Sequence, residues 1–216
     1  RQYDATVLSR GPLAQEWLWL GGARESRRLF SAVLDLMDQY PLFRFTQPAT
    51  LPYLWVEQED PTLFEQVRAR VREGRWEIVG GAWTDTDCAL PGGESLVRQF
   101  LYGKRYLRER LGVDVRLTWL PESLGYNWNL PQILKKSGID YFLTAQMGWN
   151  DTNLFPYHLF SWQAPDGSSV LCYFPFAGPG GPLQADSIIN QVKALEQETR
   201  YRDALVLFGG SAISGL

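Results

Sequence analysis

Cysteine is scarce in this sequence. Cys88 and Cys172, far apart in 216 residues, make neither a disulfide framework nor a metal knuckle. Basic charge is not in excess either: 21 Lys and Arg stand against 24 Asp and Glu, a formal charge of −3. With no basic cluster, the chain offers no electrostatic footprint for nucleic acid or for an anionic membrane. No apolar run approaches the roughly 20 residues a membrane-spanning helix needs, and no signal-peptide pattern opens the chain. Low-complexity segments, repeats and linkers are missing too, and the Gly- and Pro-rich stretch 175–182 reads as a loop. What is present is the mix of an average soluble protein, 45% hydrophobic, 14% aromatic and 21% charged, long enough for one domain with a large core. These features predict a single globular domain over residues 1–216, placed in the cytoplasm. The sequence starts at Arg1 without methionine and stops soon after the apolar run 204–208, which reads as a buried strand with nothing following to cover it. We therefore expect a segment of a longer protein.

Strand-like and helix-like patterns alternate along the chain. Residues 6–8, 43–46, 76–79, 115–120, 141–144 and 204–208 read as strands, the third ended by Gly80-Gly81. A helix is predicted over 25–39, with Leu29, Val33, Leu36 and Met37 at helical spacing and Pro41 as the stop. Pro61 opens a second helix, with Leu63, Phe64, Val67 and Val71 on one face and Gly74 at its end. A long amphipathic helix spans 94–111, with Leu96, Val97, Phe100, Leu101 and Leu107 inward and Gly112 as the stop. Shorter helices follow at 130–136, before Gly138, and at 187–198. Asp166-Gly167, between the runs 158–163 and 169–174, is the strongest hairpin signal. Repeated βα units imply an α/β class with a largely parallel sheet, open or closed into a barrel, and helices outside.

In such folds ligands bind beyond the carboxyl ends of the strands, so the loops 9–19, 80–87, 121–127, 146–151 and 209–212 are where chemistry is expected. Carboxylates and aromatics dominate these loops, and histidine and lysine are nearly absent. Aromatic faces take the C–H side of a sugar and carboxylates bind its hydroxyls, and carboxylate pairs also hydrolyse glycosides. The composition hints at a carbohydrate site without specifying one.

Three motifs sharpen the hint. Residues 90–105 read Leu-Pro-Gly-Gly-Glu-Ser-Leu-Val-Arg-Gln-Phe-Leu-Tyr-Gly-Lys-Arg, residues 119–126 read Trp-Leu-Pro-Glu-Ser-Leu-Gly-Tyr, and residues 130–134 read Leu-Pro-Gln-Ile-Leu. With Trp149-Asn150-Asp151-Thr152-Asn153 and Phe155-Pro156-Tyr157-His158, they resemble the N-terminal catalytic domain of glycoside hydrolase family 38, the α-mannosidases, in its cytosolic and bacterial branch. The resemblance runs through essentially the whole chain. It implies a seven-stranded (β/α) barrel-like domain, truncated here, that supplies the first part of a longer enzyme. It also implies retaining hydrolysis of terminal α-mannosides in mannose and oligosaccharide metabolism. The family uses an aspartate nucleophile and a zinc ion, held by a His-x-Asp pair after the first strand, by the nucleophile and by a later histidine.

The departures from that pattern fall on the chemistry. The family's first loop reads His-x-Asp-x-x-Trp-Leu-Trp; aligning Trp17-Leu18-Trp19 places Pro12 at the histidine and Ala14 at the aspartate. Neither side chain ligates metal, and a catalytic zinc wants three protein ligands, so zinc is not expected to bind. Glu122 stands at the nucleophile position, its carboxylate roughly 1.5 Å further out than an aspartate's. The Gly-rich stretch 209–215 carries Ala212 where the family has aspartate, and Phe176-Ala177-Gly178 replaces a Pro-Ala-Asp phrase. The resemblance leaves Glu122 as the catalytic candidate and Asp85, Asp87, Trp17, Trp83 and Tyr126 as candidates for holding substrate.

Each of these residues also has a plain structural reading. Glu122 would favour the N-terminus of a helix-like stretch, Asp85 and Asp87 would hydrogen-bond the backbone of a turn, and Trp17, Trp19, Trp83, Trp119 and Trp149 would pack in the core. His158, the one histidine, invites a general-acid role, but it sits at the start of a hairpin where the family often has histidine without using it as a ligand. Cys88 and Cys172 read as small buried residues. The chain is thus either an α-mannosidase-type hydrolase with no assigned general acid, or a catalytically silent relative that binds an α-mannoside or serves as a structural subunit, with self-association open. Pro12 and Ala14 favour the second. A metal-dependent polysaccharide deacetylase on a similar barrel would need histidines that the chain lacks.

Overall fold

The computed structural model describes residues 8–10, 22–120, 123, 125–145, 147, 152–153, 155–175, 185–201 and 203–205. The elements run β1 (Leu8–Arg10), α1 (Gly22–Gln39), β2 (Arg44–Ala49), α2 (Leu51–Glu59), α3 (Pro61–Arg72), β3 (Trp76–Ala82), α4 (Gly93–Leu111), β4 (Leu117–Trp119), α5 (Leu130–Lys136), β5 (Tyr141–Leu143), β6 (Leu159–Gln163), β7 (Ser169–Tyr173) and α6 (Ala185–Thr199). The α/β class expected from the alternating pattern holds. Among the described residues the strands form two sheets, β1-β2-β3 and β4-β5-β7-β6, rather than a single ring. Every pairing is parallel except β6 with β7, the hairpin predicted at Asp166-Gly167.

Both sheets nonetheless share the same two faces. Trp76 and Ile78 of β3, Phe142 of β5 and Val170 and Cys172 of β7 join the large core under the helices. Val79 of β3, Trp119 of β4 and Leu143 of β5 form a small cluster on the opposite face, with Leu117, Ala145, Tyr173 and Leu205 against it. The period-two alternation therefore continues from one sheet into the other. No ladder pairs β3 with β4 among the described residues; instead the Thr118 hydroxyl of β4 donates to the Gly80 carbonyl of β3.

Local chemistry explains the helices. The α3 helix begins with Pro61 in its first turn, and the Asp60 carboxylate accepts the Leu63 N–H at 3.0 Å, an N-cap worth about 1 kcal/mol. The α4 helix ends at Gly112, whose left-handed backbone (φ 73°) closes the last turn. Its inward residues are Leu96, Phe100, Gly103 and Leu107. Val97 and Leu101, expected inward, are 40% and 56% exposed. The buried stripe is fixed by Gly103, where α4 crosses the end of β3 so closely that a Cβ would stand 2.3 Å from the Gly81 carbonyl oxygen.

Two further differences have physical causes. The Gly-Gly pair expected to end the third strand lies inside β3, where the ladder with β2 shifts register between Gln47 and Ala49. Gly80 has a φ of 88°, and a Cβ there would collide with Pro48, so glycine carries the strand through an irregularity instead of terminating it. The α2 helix was not anticipated. It buries Pro52, Tyr53 and Val56, and its Leu-Pro-Tyr-Leu-Trp-Val start lacks the alternation of apolar and polar faces that marks a surface helix. Of the run 204–208, Ala204 and Leu205 are described outside any strand, and the remainder lies outside the described residues, as do residues 6 and 7.

Candidate functional site

The carboxyl ends of β3, β4 and β5 lie together and carry a compact polar group. Beyond β3, the turn over residues 83–88 is held by one side chain of α4. Gln99 accepts the Thr84 N–H on its Oε1 at 2.9 Å, and its own carbonyl accepts the Trp83 N–H at 3.0 Å. Asp87 then closes the turn through Oδ1, which accepts the N–H groups of Ala89 at 2.7 Å and Leu90 at 3.2 Å. This is the backbone role that an acid in such a turn suggests.

Cys88 and Tyr126 form a parallel bridge that ties the β3 turn to the segment after β4. The Tyr126 ring packs edge-on against Phe142 at 5.2 Å and Trp162 at 6.3 Å. Its hydroxyl bonds the Thr144 hydroxyl beyond β5 and reaches the Leu120 carbonyl at 3.4 Å. Burial raises the Tyr126 pKa above its ordinary value, the Thr144 bond partly offsets this, and the nearby Cys88 and Asp85 add to the rise. Burial likewise pushes the Cys88 thiol up to about 12, partly offset by a hydrogen bond with Ser123 and reinforced by Asp87 and Asp85. A thiol so protonated is a packing group and not a nucleophile. Both cysteines are free and buried, as expected.

The bridge thus joins the turn that carries Asp85 and Asp87 to Tyr126, three of the predicted substrate contacts, across separate strands. Trp83 turns the other way. Its ring meets Tyr106 of α4 edge-on, with centroids 6.0 Å apart, in the lining of a cleft between α2 and α4. Glu122, Pro12, Ala14 and Trp17 lie outside the described residues, as do Trp19, Trp149, Gly178 and Ala212. Trp119 packs in the small cluster opposite the main core, 4% exposed.

His158 lies at the same end of the second sheet, because β6 runs against β7. Its Nδ1 is 2.8 Å from the Phe174 carbonyl, its ring stacks on Phe174, and its backbone N–H donates to Glu198 of α6 at 2.8 Å. These contacts anchor the hairpin to α6. The buried hydroxyls of Thr86, Ser123 and Thr144 were missed by sequence reasoning. Their signal was slight: small polar residues placed immediately after strands, without charge.

Among the described residues, no three His, Cys, Asp or Glu side chains converge as a metal site, and no helix is long and apolar enough to cross a membrane.

Comparison with known proteins places this arrangement. The sequence profile of the glycosyl hydrolases family 38 N-terminal domain matches residues 12–214. Alpha-mannosidase G of Dictyostelium discoideum is 36% identical over 197 residues, covering 89% of this chain. Alpha-mannosidase of Saccharomyces cerevisiae is 34% identical over 200 residues, again 89% of the chain. The chain spans 18% of the length of each of these relatives. The crystal structure of an alpha-mannosidase from Enterococcus faecalis superimposes with a TM-score of 0.67 at 21% identity, over 94% of this chain and 24% of that one, which shows the shared fold. A profile that spans nearly every residue, agreeing with motifs in three separate stretches of the chain, is decisive, and the chain belongs to glycosyl hydrolase family 38 through its N-terminal domain.

Proposed function

We propose that this chain recognises the terminal sugar of an α-mannoside at the mouth formed by the ends of β3, β4 and β5, within a cytoplasmic α-mannosidase-type protein whose strands close into a seven-stranded barrel. The supporting observation is the Cys88–Tyr126 bridge, which joins the turn carrying Asp85 to Tyr126 across two sheets, in a family whose relatives above are named α-mannosidases. A half-buried carboxylate accepts hydroxyl hydrogens, and an aromatic ring beside it takes the C–H face of the sugar. The alternation of faces that runs through both sheets favours closure, and two free buried cysteines suit a reducing compartment.

In this reading Glu122 occupies the nucleophile position of a retaining mechanism. Its carboxylate lies roughly 1.5 Å beyond an aspartate's, and a misplacement of about 1 Å already costs on the order of a hundredfold in rate. The zinc of the family does not fit the donors present. Pro12 and Ala14 carry no donor atom, the Asp87 Oδ1 is committed to two backbone N–H groups, and the Cys88 thiol is held protonated. No catalytic step is therefore routed through a metal, and hydrolysis by this chain is impaired. Pro12 and Ala14 also support the second reading, a silent relative that retains only mannoside binding or a structural role.

The test uses the full-length protein, with metal content by mass spectrometry alongside turnover of an aryl α-mannoside. The expected result is substoichiometric zinc and turnover at least about a hundredfold below the Pro12→His, Ala14→Asp, Glu122→Asp triple variant. Stoichiometric zinc, with turnover abolished by Glu122→Ala, overturns the impaired reading. Absence of mannoside binding in both proteins overturns recognition itself.

A further inference from the structure

On the helix-covered side of β3, a cleft of about 440 Å³ opens between α2 and α4. That volume is within the range of small-ligand sites. Three aromatic rings line it: Trp83, Tyr102 and Tyr106. The Trp83 backbone is held by its N–H on the Gln99 carbonyl at 3.0 Å and by the Leu51 N–H on its own carbonyl at 2.8 Å, and its ring is braced edge-on against Tyr106 at 6.0 Å. Tyr106 is fixed as well, its hydroxyl donating to Glu57 Oε2 at 2.7 Å. Rings held in place spare a ligand the ordering that flexible side chains would require.

The charged groups around these rings cancel. Arg105 pairs with Glu109 at 2.9 Å, and Arg110 with Glu57 at 3.3 Å. Two cations against two anions leave no local excess to draw a phosphate, a nucleic acid or an anionic headgroup. They leave a dense set of donors and acceptors beside immobile aromatic faces. A neutral polyhydroxylated ring matches both properties at once, stacking its C–H face on the aromatics and passing its hydroxyls to the ion pairs.

We propose that this cleft binds a hexopyranose unit of a neutral oligosaccharide, as a glycan site separate from the β3–β5 mouth. Trp83 and Asp85 are two residues apart, within about 7 Å of chain, so both sites share the end of β3. A glycan chain held at the cleft is thereby kept at raised effective concentration near the mouth. The choice of a mannose-containing probe rests on the mannosidase reading; the site itself does not.

The experiment titrates α-linked mannobiose and maltose, separately, into the full-length protein by calorimetry. The variants are Asp85→Asn, at the mouth, and Tyr102→Ala with Arg105→Ala, on the exposed rim of the cleft. A saturable site that survives Asp85→Asn and weakens at least about tenfold in the rim double variant is the expected result. Loss of all binding in Asp85→Asn, or unchanged binding in the double variant, overturns the proposal. Binding of maltose but no mannobiose, still sensitive to the rim variant, keeps the cleft and removes the mannosidase reading. Mannobiose binding confined to the mouth does the reverse. If no sugar binds and Tyr102→Ala shifts the sedimentation of the protein from dimer to monomer, the cleft is an interface between copies and the proposal fails.

Discussion

The aromatic core behind β2 and β3 and the polar mouth at the ends of β3, β4 and β5 are built on the same strands by opposite rules. In the core, Trp76 meets Phe45 at 4.7 Å and Phe30 at 4.9 Å, and its Nε1 donates to the Tyr53 hydroxyl at 2.9 Å. The Tyr53 hydroxyl in turn reaches the Gln47 carbonyl at 3.3 Å, so both polar atoms brought inside are satisfied along a relay from β3 through α2 to β2. At the mouth, hydroxyls, a thiol and two carboxylates crowd at the ends of separate strands, where burial first and the nearby acids second raise the proton affinity of Cys88 and Tyr126. Packing alone would not select that crowding, since burying polar groups near charge opposes folding. Stability and function are thus divided along the length of β3, whose first residue is Trp76 and whose last leads into Asp85.

The largest expected effect lies in the core. Trp76→Ala should lower unfolding free energy by about 3–5 kcal/mol in a urea titration. Gly103→Ala comes next and tests the junction of the two regions. A Cβ facing the Gly81 carbonyl and the Trp83 nitrogen forces α4 off β3, with an expected loss of about 1–3 kcal/mol. It should also disturb the mouth, read as weakened mannoside binding, which Trp76→Ala in its surviving folded fraction should not. Tyr126→Phe removes the bond to Thr144 and should reduce stability by about 1 kcal/mol, with its larger consequence on sugar binding.

The pH response separates the regions less sharply. Burial raises Cys88 and Cys172 to about 12 and also raises Tyr53 and Tyr126, so in every case the folded state favours the protonated form. The stability they contribute is complete below the ordinary thiol pKa near 9 and is lost as pH climbs toward 12. Alkaline titration of the melting temperature should therefore fall over that window, and both thiols should resist alkylation at pH 8 until the chain unfolds. The smallest effect is expected from Leu101→Ser on the outer face of α4, within about 0.5 kcal/mol of the parent. A larger loss there would mean that Leu101 packs inward as its spacing suggested.

Much of the scaffold was legible because it obeys simple periodicity. Leu63, Phe64 and Val67 announced α3, Asp166-Gly167 announced the hairpin, and Gly112 announced the end of α4. The α2 helix escaped because Tyr53, Trp55 and Val56 leave little polar contrast between its sides. The true inward stripe of α4 was hidden because Gly103, its closest point of approach, carries no hydrophobic side chain to mark it. At the mouth, bridging the Asp85 turn to Tyr126 required two strand ends to be placed in space, which spacing along the chain does not encode. The same turn that presents Asp85 directs Trp83 to α4, and a loop read residue by residue gives no sign of that divergence.

The hydroxyl of Thr118 on the Gly80 carbonyl bears on how the molecule would respond to occupancy. Asp85 follows one sheet and Tyr126 the other, so a guest gripping both would act as a cross-brace over a joint that the Thr118 hydroxyl and the Cys88–Tyr126 bridge already span. Saturating sugar should accordingly make the two halves melt together and at higher temperature, and Thr118→Val should widen the gap between the empty and the loaded protein.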